Sequence, residues 1–530
     1  MRGFGDTNKS KKRNLSNIQF KFDHNQILNK AINYHYQGNI LQAGKLYKVL
    51  IEKGSKNSTV FTNYGLILLS SGKLKDAEFF TRKAVELNPK DSIAHSNLGS
   101  ILKDQEKIKD AEFFIRKAIA LNPKDSIALS NLGGILRDLR KLEEAELYTR
   151  KAIELNPKDS LAHFNLGGIL IDLRKLEEAE KSLLKAIKLN PNFGKAYFLL
   201  STFKKKNSQN KWEEYLFSKN IETNQNTINL IDLYFAKANI LEKNFQYTKS
   251  ANMFMKANKL NRKIYGSNYI QIIDKMKHYY KISQNIQRKK DMQDNQLSCI
   301  FIVGLPRSGK TITESILSQN ELLLQCGEND ALSKAVDKYL NPKMISKNHD
   351  LYQMYIENIS KEISNKSYIC STTPGDYQFA GIIASQIANS KVIYCFRNPL
   401  DHIKEMFCSN LMNKFTFKTS IVESAKLLLL INELMENYKR IFNSKIYFLN
   451  YDKLVDHPER EIKSLLSWLG FKYKTEYLHP ILDPTTLINS DNTNAVINTN
   501  YLNVWKRYKT LLQPAIEIIS KNEKFKQLTF

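Results

Sequence analysis

The dipeptide Asn-Pro recurs at Asn88, Asn122, Asn156 and Asn190, each time 34 residues on and each time behind an apolar-Leu step ("VELNP", "IALNP", "IELNP", "IKLNP"). A strict period of this length constrains the fold strongly. A unit so short cannot bury its own apolar face and has to stack on its neighbours. Small residues recur in the same register, with Gly99, Gly133 and Gly167 in the first half of the unit and Ala77, Ala111, Ala145 and Ala179 in the second. Small side chains let two antiparallel helices approach closely, and the proline ends the second helix before the next unit begins. The expected product is an all-α solenoid of helix pairs.

The period and the small-residue positions resemble the tetratricopeptide repeat from Phe22 to about Asn192, and Ala43 carries the register one further step back. Beyond Asn192 the pattern weakens through "STFKKKNSQNKW" and returns as "LYFAKANILEKNFQYTKSANMFMKANKLN", Leu233 to Asn261, which reads as a diverged repeat and a capping one. The sequence therefore divides into a basic polar tail (1–20), a repeat superhelix (21–262), a polar and basic helix or linker (263–297) and a C-terminal domain (298–530). A solenoid leaves a concave groove, so the expected partner there is a peptide or another protein chain. The repeated Leu, Ala and aromatic positions read as core packing. His95 and His163 are solitary, so they suit structural placement better than metal ligation.

The second strong feature is "IFIVGLPRSGKT", Ile300 to Thr311, which satisfies the nucleotide phosphate-loop pattern with Gly304, Gly309, Lys310 and Thr311. Ser298 to Val303 is a short apolar β-favouring run and the residues after Gly309 read as a helix, so the loop joins strand to helix. Backbone N–H groups and the helix dipole favour an anion at such a junction. A nucleotide triphosphatase would also need an apolar strand ending in Asp or Glu to hold magnesium. "KSYIC" runs instead into Ser371 and Thr372, "KVIYCF" into Arg397, and "KIYFLN" into Tyr451 before Asp452. An arginine at a strand end points to a second bound anion.

Composition narrows the remaining classes. Charged residues make up 25% and hydrophobic ones 42%, ordinary globular usage in a chain long enough for several domains. A formal charge of +27 suits nucleic acid, membrane surfaces or phosphate- and sulfate-bearing ligands, although Asn, Ile and Lys are abundant throughout and the excess equally fits a general bias on solvated faces. No RNA-recognition, zinc-finger or homeodomain pattern supports nucleic acid. No run of 18 apolar residues suggests a membrane span. The five cysteines (Cys299, Cys326, Cys370, Cys395, Cys408) are odd in number and contain no C-x-x-C pair, and the basic N-terminus lacks a signal-like apolar stretch, so the expected setting is cytoplasmic with reduced thiols.

Taken in order, "FIVGLPRSGKTITESIL", "QCGEND", "STTPGDYQFAGIIASQIANSKVIYCFRNPLDHIKEMFCSNL", "IYFLNYDKLVDHPEREIKSLLSWLGF" and "VWKRY" resemble the blocks of the bacterial tetratricopeptide-repeat sulfotransferases, relatives of the tyrosylprotein sulfotransferases. The resemblance implies an α/β phosphate-loop-like domain with a mainly parallel sheet, 3′-phosphoadenylyl sulfate as sulfuryl donor, a hydroxyl acceptor of unknown type and no metal. Pro306, Arg307, Ser308, Gly309, Lys310 and Thr311 would hold the 5′-phosphosulfate, Arg397 the 3′-phosphate, and Tyr451 would lie near the nucleotide. Arg307 and Lys310 would stabilise charge on the leaving phosphate, and Glu328 in "CGEN" falls on the family's general base. Simpler roles compete. Arg307 could pair with a surface acid, Arg397 could cap the sheet through a carboxylate, Glu328 could be a helix N-terminal charge, and Tyr451 and Trp505 could be packing. Asp401 and His402 read as the exposed start of a helix.

Three departures bear on activity. Lys310 replaces a hydroxyl residue, Thr372 stands where the family carries a lysine, and Glu405 takes the place of a serine eight residues after Arg397. A carboxylate about 5 Å from a phosphate charge, at an effective dielectric of ~20, would repel it by roughly 3 kcal/mol. Glu405 therefore turns away, or the preferred nucleotide lacks that phosphate, or transfer activity is lost, leaving a binding scaffold. A nucleotide kinase using Lys310 is the third reading.

Overall fold

A computed structural model describes residues 23–203, 211–223, 225–288, 297–341, 350–359, 363, 365–411, 413–478 and 502–529. The basic tail and the Asn-rich "INSDNTNAVINTN" stretch lie outside these residues. The chain forms two compact units, Met1–Ile169 and Leu170–Phe530.

In the first unit the 34-residue period becomes helix pairs such as Ser92–Asp104 with Ile108–Leu121 and Ser126–Asp138 with Leu142–Leu155. These first helices have an aspartate N-cap: Asp125 Oδ1 accepts from the backbone N–H of Ile127 (3.0 Å) and Ala128 (3.1 Å), as Asp91 does one repeat earlier; Asn57 is the N-cap of Ser58–Ser70. Each second helix stops one residue short of Asn-Pro, at Leu87, Leu121 and Leu155. The small residues sit at close crossings, as their type requires. Ala77, Ala111 and Ala145 are fully buried, and a Cβ on Gly133 would come within 1.9 Å of Thr149 Oγ1. Between the paired helices one residue adopts positive φ at a 34-residue spacing, glycine at Gly38 and Gly72 but Glu106 and Arg140 further on. Replacing Asp125 by alanine is expected to lower stability by about 1 kcal/mol, read by thermal unfolding, because two helix N–H groups lose their acceptor.

The second unit contains a parallel five-stranded sheet in the order β2-β3-β1-β4-β5, with β1 Ser298–Val303, β2 Leu323–Gly327, β3 Tyr368–Ser371, β4 Ser390–Phe396 and β5 Ile446–Asn450. A parallel sheet must be covered on both faces, and β1 shows how the alternation is used. Cys299, Phe301 and Val303 point into one core, and Ile300 and Ile302 into the other with Ile312 and Ile316 of helix Lys310–Leu317. The first core also takes in Phe235, Ala238, Phe254 and Ala257 from the helical hairpin Thr227–Lys243/Tyr247–Tyr265. That hairpin, read from the sequence as the end of the repeat array, thus shares one hydrophobic core with the sheet. Its polar side chains reach the same neighbours: Asn258 Nδ2 donates to the Phe407 carbonyl (2.8 Å), and Arg262 donates two bonds to Glu423 (2.9 and 2.7 Å).

Candidate functional site

The site lies at the carboxyl ends of β1, β3, β4 and β5, where an open parallel sheet presents its loops. The phosphate loop leaves β1 at Gly304 (φ 146°), whose missing Cβ would meet the Cys395 carbonyl at 2.5 Å, so only glycine lets the loop cross β4. Gly309 (φ 97°) caps helix Lys310–Leu317, and a Cβ there would strike the Tyr451 ring at 2.5 Å. Arg307 also holds a left-handed conformation (φ 67°), unusual for a residue other than glycine; it is exposed, and its Nε donates to Ser409 Oγ at 3.2 Å. Ser308 is fully buried and its Oγ has no hydrogen-bond partner among the described residues. Pro306 contributes through its carbonyl, within 2.8 Å of His402 Nε2. Thr311, which follows Lys310 on the first turn, is exposed.

Lys310 is 6% exposed, with Nζ donating to the Leu305 carbonyl at 3.4 Å. Burial pushes its pKa down, opposed by the negative charges of Glu328 and Glu314 and reinforced by Arg307. Arg397 leaves β4 buried, its guanidinium 4.9 Å from the centre of the Tyr451 ring and its Nε 3.8 Å from Asp452 Oδ1. Arg397 thus faces a carboxylate, as the sheet-capping alternative expected, and it also stacks on an aromatic ring. Asp452 Oδ2 in turn accepts from the Asn398 backbone N–H.

Glu328 ends up exposed. Its loop is pinned next door, where the Asn329 backbone N–H donates to Thr373 Oγ1 (3.1 Å) and Thr373 Oγ1 donates to the Asn329 carbonyl (2.7 Å). Thr372 is buried and commits its hydroxyl to Glu314 Oε2 at 3.0 Å, while Glu314 Oε1 accepts from the Gly327 N–H at 3.0 Å. Glu314 thus ties the phosphate-loop helix to the ends of β2 and β3. Sequence reasoning missed it, although it stands one turn after Lys310 on the same helix face. Asp376, also missed, is buried with Oδ2 unpartnered among the described residues; burial pushes its carboxyl well above the usual range, against the pull of Lys310 and with help from Glu328.

Two expectations are corrected. Asp401 and His402 are buried, not the exposed start of a helix. Asn398 is the N-cap of helix Pro399–Cys408, which frees Asp401 to accept from the backbone N–H groups of Asn503 and Trp505, both at 2.8 Å. Burial lowers the His402 pKa to about 3, so the neutral ring donates Nε2–H to Pro306. Because the unfolded ring takes up its proton near 6.5, stability should rise with pH between about 3 and 6.5. Denaturant unfolding across that window should show the slope, and His402→Gln, which keeps a donor, should flatten it.

Glu405 does not turn to bulk solvent. Burial would raise its carboxyl, but Lys404, whose Nζ lies 3.2 Å from Oε1, and the charges of Arg397 and Arg307 hold it down at about 2. It is an anion placed among the cations of the site.

A five-stranded parallel sheet with helices packed against it defines an α/β domain. Residues 299–475 match the sulfotransferase family, and 58–91, 96–160, 160–193 and 231–264 match tetratricopeptide repeats. The chain joins tetratricopeptide repeats to a sulfotransferase-family domain. A protein of Aquifex aeolicus (strain VF5), named only "Uncharacterized protein", is 27% identical over 328 residues, 56% of this chain and 42% of its own length. The chain thus spans less than half of that curated relative. Similar solved structures include MamA (41-end) from Desulfovibrio magneticus RS-1 at 20% identity, 32% of this chain, 95% of that one and a TM-score of 0.28. YrrB, titled "a TPR protein with an unusual peptide-binding site", gives 19% identity, 39% and 96% coverage, and 0.26. A tetratricopeptide repeat protein from Parabacteroides merdae ATCC 43184 gives 18%, 45% and 93% coverage, and 0.35. Among the described residues no helix is long and apolar enough to cross a membrane.

Proposed function

We propose that the C-terminal domain (298–530) transfers a sulfuryl group from 3′-phosphoadenylyl sulfate to a hydroxyl acceptor, and that the repeat region (21–262), joined through 263–297, recruits the acceptor or a protein partner. The observation that carries the reading is the buried Ser308 Oγ, without a partner among the described residues, in a loop built on Gly304 and Gly309, since a buried polar atom without a partner calls for one. These residues fit the donor. Pro306 to Thr311 would hold its 5′ end and Arg397, stacked on Tyr451, its 3′-phosphate. Bound there, the donor supplies an activated sulfuryl group whose leaving phosphate gains charge as the bond breaks.

The chain's own groups would meet that change with fixed positive charge from Arg307 and Lys310. Glu328 would accept the acceptor's proton. Being exposed, it should matter less than a buried base: Glu328→Gln is expected to slow transfer by about tenfold, below the usual hundredfold or more, with nucleotide affinity retained. An unchanged rate would dismiss it. The five thiols, all free, suit a reducing cytoplasmic setting.

Calorimetric titration of the full chain with adenosine 3′,5′-bisphosphate and, separately, ATP-magnesium tests the reading. Binding of the bisphosphate is expected. Tight ATP-magnesium binding without it would favour a kinase, and bisphosphate binding without transfer to any hydroxyl acceptor would favour a scaffold whose transfer site has lapsed, a reading that the position of Glu405 supports.

A further inference from the structure

One cluster of charges connects the nucleotide site to the terminal repeat hairpin. Lys404, on helix Pro399–Cys408, is 5% exposed, and its Nζ lies 2.8 Å from Glu242 Oε1 and 3.2 Å from Glu405 Oε1. Glu242 belongs to helix Thr227–Lys243 of the hairpin, one residue before its end. The ammonium sits 5.2 Å from the centre of the Tyr508 ring, and the Tyr508 hydroxyl lies 3.2 Å from Ser250 Oγ of the hairpin's second helix. The same helix that carries Glu405 is fixed elsewhere by Asn258 on the Phe407 carbonyl and by His402 on Pro306. Ser409, just past its end, accepts from Arg307 Nε and donates to the Glu405 carbonyl. The phosphate loop, Glu405 and the hairpin are therefore parts of one bonded assembly.

The charge count in this cluster decides what it does. One ammonium faces two carboxylates, so the triad carries a net single negative charge, and Glu405 is the member whose field reaches Arg397 and Arg307. The more closely Lys404 is held by Glu242, the less it offsets Glu405. Each carboxylate is about a quarter exposed (27% for Glu242, 25% for Glu405), so the interaction is only partly screened.

We infer that Glu242, contributed by the last repeat hairpin, is a positioning residue of the nucleotide site: by holding one side of Lys404 it sets the place and effective charge of Glu405 beside Arg397 and Arg307, and with them the affinity for a nucleotide polyanion. The inference rests on the nucleotide reading given above. It makes the final hairpin part of the transfer domain's binding apparatus.

The signs separate this role from a merely structural one. Glu242→Gln leaves a neutral Lys404–Glu405 pair and should tighten adenosine 3′,5′-bisphosphate binding by three- to tenfold in calorimetry on the full chain. Lys404→Met leaves two uncompensated carboxylates and should weaken it by at least tenfold. Arg262→Ala, which removes the hairpin's bidentate pair with Glu423, should leave affinity within twofold. Weakening by both Glu242→Gln and Lys404→Met, or equal effects of Glu242→Gln and Arg262→Ala, would overturn the inference. A double-mutant cycle of Glu242→Gln and Glu405→Gln on urea unfolding needs no ligand and covers the case in which Lys404→Met does not fold. Coupled effects are expected, and additive ones overturn the inference even where the nucleotide binds. Coupling in a wild-type chain that binds no bisphosphate would instead refute the nucleotide reading.

Discussion

Glu405→Ser is expected to tighten adenosine 3′,5′-bisphosphate binding by ten- to a hundredfold. The carboxylate is held at a pKa of about 2 by Lys404, Arg397 and Arg307, so it is charged at every working pH and its repulsion cannot be relieved by protonation. A single like-charge contact near 5 Å at an effective dielectric of ~20 amounts to roughly 3 kcal/mol, which sets the upper end of the range. Relaxation of Arg397 toward Asp452, 3.8 Å away, sets the lower end, because part of the freed attraction is taken up within the protein. Titration with adenosine 5′-phosphate in parallel locates the effect. A gain confined to the bisphosphate puts Glu405 against the second phosphate. An equal gain for both nucleotides puts it against the phosphate loop, where Arg307 also feels it. Unchanged affinity for both would mean that Glu405 does not face a ligand at all.

The elements of this site were legible in the sequence because each depends on a short run of neighbours. The apolar stretch before Gly304, the glycines at 304 and 309, and Arg397 after "KVIYCF" lie in the strand and loop positions their local patterns imply. The 34-residue period likewise predicts helix pairs and close crossings, since Gly133 and Ala145 are chosen by contacts inside one unit. What escaped depends on partners distant in the chain. Asp401 reads as a helix-start acid until Asn503 and Trp505, a hundred residues later, present their N–H groups to it. His402 has no sequence signal for the Pro306 carbonyl, nor Lys404 for Glu242. Arg307 is named from the sequence, but its left-handed backbone, which pattern assigns to glycine, is not legible there; the cost of order 1 kcal/mol is tolerated where the side chain emerges from the loop.

Replacing Lys310 by methionine is expected to lower the transfer rate by a hundred- to a thousandfold while changing bisphosphate affinity by less than tenfold. Thr372 cannot take over the role of Lys310. It stands where a lysine would stabilise the developing charge, but it has no charge, and its hydroxyl is already given to Glu314. Lys310 is the buried cation on the phosphate loop, reaching among the described residues only the Leu305 carbonyl, at a long 3.4 Å. Burial disfavours its charge in the free protein, so an arriving anion restores the balance, and charge building on that anion during transfer is felt strongly in so dry a place. Methionine keeps the volume and the apolar contacts of the lysine stem, so loss of packing does not explain a slower rate. Because the lysine pKa is pushed below its ordinary 10.5, the wild-type rate should also decline at a lower alkaline pH than an exposed lysine would give, and the methionine variant should lose that decline. A methionine variant with an unaltered turnover number would remove Lys310 from the chemistry and return the burden of the leaving charge to Arg307 and the backbone N–H groups of the loop.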